Sequence, residues 1–68
     1  WSCESFFAKN LKRERLAKKL SHDQLATIAK VHRTSIGHIE NGLSKPSLAI
    51  ALKLSYALNK PLSDLLND

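Results

Sequence analysis

The stretch from Ser21 to Gly42, SHDQLATIAKVHRTSIGHIENG, decides the fold. Ser21 and Gln24 form an S-x-x-Q capping box, in which the two side chains satisfy free amides at a helix start. Asp23 in the first turn suits the helix dipole. Leu25, Ala26, Ile28 and Ala29 are the apolar residues of the helix that follows. Lys30-Val31-His32 reads as a turn, and a second short helix runs from Arg33 to about Glu40. Ile36 and Ile39, three apart, are its inward residues. Asn41-Gly42 is a stop, because both residues tolerate the left-handed conformation.

The other face of the second helix carries a polar row: His32, Arg33, Thr34, Gly37 and His38. It is small, rich in hydrogen-bonding groups and free of acidic side chains. A helix of that kind fits the DNA major groove, which admits one α-helix.

The rest of the chain agrees with an all-α, five-helix domain and no strand. Alternation of apolar and polar residues never persists long enough for a half-buried strand. A helix over about 4–19 places Phe7, Ala8, Leu11, Leu16 and Leu20 in one apolar stripe. Arg15, four residues after Leu11, also points inward. A loop from Leu43 to Pro46 leads to a helix over about 47–57, apolar almost all round through Leu48, Ile50, Ala51, Leu52, Leu54, Ala57 and Leu58. That predicts the central core helix. Asn59-Lys60 breaks it, and Pro61 opens a fifth helix over 61–66, at the first helical position that proline suits.

Sixty-eight residues bound the chain to one domain. The formal net charge of +5 favours an anionic partner. The single cysteine, Cys3, excludes an internal disulfide and reads as a bystander. No apolar run approaches a membrane span, and no signal-peptide pattern is present, so the expected location is the cytoplasm or nucleoid. The chain opens on Trp1, which predicts a trimmed or processed fragment.

No enzyme site is expected. There is no paired-carboxylate pattern and no glycine-rich phosphate loop, and nothing orients a serine–histidine–acid set. His32 and His38 are six apart with no cysteine to join them, so neither a metal nor a cofactor is expected.

Three segments carry a resemblance: Gln24-Leu25-Ala26, then Ser35 to Gly42 (S-I-x-x-I-E-N-G), then Pro46-Ser47-Leu48. In this order and at these distances the chain resembles the lambda-repressor-like, Cro/repressor-type (XRE) family of bacterial and phage regulators, from Leu11 to Leu66. The resemblance implies a helix-turn-helix made by the second and third helices. It implies a sequence-specific regulator of transcription, repressor-type, that binds double-stranded DNA as a homodimer on a near-palindromic operator. It also implies a partly buried ion pair between Arg15 and Glu40. Two departures stand out. Lys30 occupies the turn where the family usually has glycine, and His32 stands where it often has a serine or threonine cap.

Arg33, Thr34 and His38 are the candidates for base edges, with Gly37 allowing close approach and His32 at the rim. Arginine can take guanine O6 and N7 by two parallel bonds. Phosphate contacts are expected from His22, Gln24, Asn41, Ser44 and Lys45, with Lys30 and Arg15 as further candidates. The resemblance supports His22, Asn41 and Lys45 by position. Imidazoles ordinarily titrate near about pH 6.5, so these histidines beside DNA predict affinity that rises as pH falls from about 8 to 6. Leu62, Leu66 and Pro61 are candidates for a dimer contact. A protein-interaction module of the same fold, such as an antitoxin or a restriction–modification controller, is the alternative, with a protein partner.

Overall fold

The computed structural model describes residues 2–66, with side chains from Phe6 to Leu66. Cys3 lies outside the described side chains. Among the described residues there are five helices and no strand: α1 Ser2–Ala17, α2 His22–Ala29, α3 Arg33–Glu40, α4 Leu48–Leu58 and α5 Leu62–Leu66.

How each helix ends explains much of the chain path. Lys19, Lys30, Gly42 and Asn59 all have positive φ, between 57° and 75°. Beyond each, an amide turns back to the helix: Leu20 to Arg15, Val31 to Ala26, Leu43 to His38 and Lys60 to Ser55, at 2.8–3.1 Å. This is one left-handed closure used four times, and it satisfies carbonyls that a helix end leaves open. α1 ends at Ala17, two residues before the expected Lys19 boundary, and Lys19 turns the chain. At the α3 stop only Gly42 is left-handed, for Asn41 has φ −90° and ψ 2°.

The starts follow the sequence more closely. Ser21 accepts from the Gln24 amide and Gln24 Oε1 accepts from the Ser21 amide, completing the capping box. Ser47 accepts from the Ile50 amide at the head of α4. Pro61 stands one residue before α5, its carbonyl accepting from the Asp64 amide, and not at the first helical position. Its missing N–H is no loss there. His32 precedes α3 in extended conformation and makes no side-chain cap bond.

The core takes residues from every helix: Phe7 and Leu11, Leu25, Ala26 and Ala29, Ile36 and Ile39, Ala51, Leu54 and Leu58, and Leu65. Ala26 and Ala29 are small, which lets α2 and α3 pack closely. Val31, in the turn, is half-buried against the same cluster.

Two apolar stripes differ from expectation. On α1 the inner row is Phe7, Asn10, Leu11 and Arg15, all buried, while Leu16 is exposed. Leu16 sits one residue beyond Arg15, about 100° around the helix, and so falls off the inner face. Asn10 fills the core position by donating to the Leu65 carbonyl at 2.9 Å, which ties α1 to α5. On α4 the inward residues are Ala51, Leu54, Ser55 and Leu58. Leu48, Leu52 and Tyr56, four apart, lie on an exposed face, so α4 is not buried all round. Ser55 is accommodated because its hydroxyl donates to the Leu52 carbonyl at 2.8 Å. Ile28 on α2 is exposed as well.

Candidate nucleic-acid interface

α3 is held from behind by a buried charge network. Glu40, its last residue, keeps only 3% of its side chain exposed. Arg15 Nε donates to Glu40 Oε2 at 2.7 Å and Nη2 to Oε1 at 3.0 Å, a two-pronged pair. Arg15 Nη1 donates to the Leu20 carbonyl at 2.8 Å. His22 Nε2 lies 3.2 Å from Glu40 Oε1. Burial pushes the Glu40 carboxyl up, but bonds from Arg15 and His22, together with their charges, outweigh it and hold the carboxyl below the usual range. The bond to Glu40 raises Arg15 against the opposing effect of burial.

This geometry gives Arg15 one of its two expected roles. All three guanidinium nitrogens are engaged inside the protein, which favours the structural ion pair over a phosphate contact by Arg15. His22 is divided. Its ring lies over Gly37, with Cε1 3.8 Å from where a Cβ would stand, and its side chain is 42% exposed. It braces the head of α2 against α3 and still reaches the surface.

The outer side of α3 carries His32, Arg33, Thr34 and His38, all exposed, with Gly37 half-buried. Ile36 and Ile39 point the other way, into the core. The sequence thus separates α3 into an anchored face and an open polar face. Asn41, Ser44 and Lys45 follow in an exposed loop, and Gln24 is exposed at the head of α2. Gln24 Oε1 is used by the capping box, which leaves that residue only donors to offer an anion. Lys30 is exposed too, but it lines a shallow depression with Ile28, Lys53 and Tyr56, which sets it toward α4.

One feature of the face was not visible in the α3 sequence. Asp23 of α2 reaches Arg33, with both carboxylate oxygens 3.4 Å from Nη1. The row is free of acids within α3 but not across helices.

Leu62 and Leu66 are half-buried against the core, and Pro61 is exposed. Among the described residues no group of three or more His, Cys, Asp or Glu could hold a metal ion. No helix among them is long and apolar enough to cross a membrane.

With α2 and α3 set at a tight turn behind this face, one comparison is decisive: residues 11–65 match the helix-turn-helix family. The chain belongs to the helix-turn-helix family. The matched region takes in part or all of each helix, and the family is one of DNA-binding regulators. Two solved structures show how far the likeness extends. The restriction–modification controller protein C.AhdI from Aeromonas hydrophila is 32% identical, with a TM-score of 0.87. That alignment covers 96% of this chain and 98% of C.AhdI. A transcriptional regulator of the family from Vibrio cholerae is also 32% identical, with a TM-score of 0.86 over 91% of this chain. The chain spans only 35% of that regulator's length. No curated protein matches.

Proposed function

We propose that this helix-turn-helix domain is a sequence-specific, repressor-type regulator that places α3 in the major groove of a near-palindromic operator. The observation that carries the reading is the division of α3. Ile36, Ile39 and Glu40 fix the helix from within, while Arg33, Thr34, Gly37 and His38 present hydrogen-bonding groups and open space outward. Arg33 reads a guanine, Thr34 and His38 meet neighbouring base edges, and His32 lies at the rim. His22, Gln24, Asn41, Ser44 and Lys45 contact the phosphate backbone and set the register, while Lys30, turned toward α4, is left out of the contact.

One domain covers one half-site, and two copies read the operator together. Leu62, Leu66 and Pro61 contribute to the contact between copies. The protein acts in the cytoplasm, by occupying the operator and not by chemistry on it. Within this reading, the 32% identity with C.AhdI supports a controller of a restriction–modification pair.

The test is selection of enriched sequences from a duplex library, across a salt series. The expected result is a near-palindrome whose affinity falls steeply with salt. Arg33→Ala should sharply weaken the enrichment, leaving the smaller discrimination supplied by Thr34 and His38. Weak, sequence-blind binding would overturn the reading and direct the search to a protein partner.

A further inference from the structure

Asp23 is an exposed acid within a surface that otherwise offers donors and positive charge. Its side chain is 67% exposed and Arg33 is 70% exposed, so the fold does not require the pair. An acid there opposes DNA binding by repelling phosphates, unless it acts on the guanidinium it touches.

The backbone around Asp23 is held in place. It lies in the first turn of α2, two residues after the Ser21 cap, and Thr27 Oγ1 donates to its carbonyl at 2.9 Å. α2 is fixed to α3 by Leu25, Ala26, Ala29 and Ile36, and by the contact of His22 with Glu40. Asp23 therefore stands as a fixed negative charge beside the first residue of α3. Both of its oxygens share one arginine nitrogen, Nη1, at the same distance of 3.4 Å. The other edge of the guanidinium, Nε and Nη2, can then face a pair of base acceptors.

We propose that Asp23 is a specificity-determining positioning residue, which restrains Arg33 so that it answers to base acceptors more than to phosphates. This rests on the proposed operator binding and deepens it. Two physical effects act together. The carboxylate partly neutralises Arg33 and so weakens its attraction to any DNA backbone. It also narrows the range of arginine conformations, lowering the ordering cost at the correct site.

The experiment compares the unmodified chain with Asp23→Asn, Arg33→Ala and the double variant. Each is titrated with the selected operator and with a scrambled duplex of equal length, in a salt series. For Asp23→Asn, affinity for the scrambled duplex should rise. The ratio of operator to scrambled affinity should fall by roughly two- to fivefold, the range that an exposed ion pair supports. In the Arg33→Ala background the same substitution should leave the ratio unchanged. Equal gains on both duplexes would overturn the proposal in favour of simple charge removal. Persistence of the ratio change without Arg33 would overturn it too. Circular dichroism on each variant separates loss of fold from loss of discrimination. If the unmodified chain itself enriches no sequence, operator binding fails first and this inference fails with it.

Discussion

Arg15 grips Glu40 by two parallel bonds, so that the first helix holds the last residue of the third. The carboxylate is buried, and removing it leaves a guanidinium without its partner. For Glu40→Ala we expect a loss of about 3–5 kcal/mol, typical of breaking a buried pair from one side. Urea denaturation measures it directly. A loss below about 1 kcal/mol would mean that the pair is solvated in solution.

The depressed Glu40 carboxyl fixes the sign of an acid effect. A group with a lowered folded pKa stabilises the protein above the unfolded value, about 4.3 for glutamate. That contribution is lost as pH falls through the lower folded value. Stability from Glu40 is therefore level above about pH 5 and declines below about pH 4. Urea midpoints for the unmodified chain and Glu40→Gln, taken from pH 7 to 3, should converge on the acid side. Parallel curves would remove Glu40 from the acid response.

Gly37 has a helical role that the fold itself does not demand. A Cβ there would meet only the His22 ring, at ordinary contact distances of 3.8 and 3.9 Å. Gly37→Ala should raise stability by roughly 0.5–1 kcal/mol through helix propensity. If α3 enters the groove as proposed, the same methyl group should weaken operator binding. A variant that gains both stability and affinity would place Gly37 outside the DNA contact.

Lys30 adopts a left-handed conformation with φ 60° and ψ 44°. That conformation penalises a side chain by about 1–2 kcal/mol relative to glycine. Lys30→Gly should raise the melting temperature by roughly 4–8 °C per kcal/mol gained. Calorimetry at fixed salt would show it. An unchanged or lower melting temperature would show that lysine contacts offset the strain.

The helix-turn-helix was legible because its signals are local. Ser21 with Gln24, Ile36 with Ile39, and Gly42 each act within one or two turns, and the structure realises all three. The pairing of Arg15 with Glu40 was implied by resemblance, since 25 residues separate them and periodicity gives only an inward direction. The stripes on α1 and α4 were over-read because apolarity was counted as burial. Leu16, Leu48 and Leu52 are apolar yet exposed, whereas Asn10 is polar and buried through its bond to Leu65. The approach of Asp23 to Arg33 depends on the angle between two helices, which neither helix encodes alone.

The bond from Asn10 to the Leu65 carbonyl joins residues 55 positions apart. α1 packs against α5 at one end and grips Glu40 at the other. α3 is thus braced by a segment that is itself seated by α5, the last of the five helices in chain order. A growing chain can form α2 and α3 early, but it cannot finish their support until synthesis of this domain is nearly over.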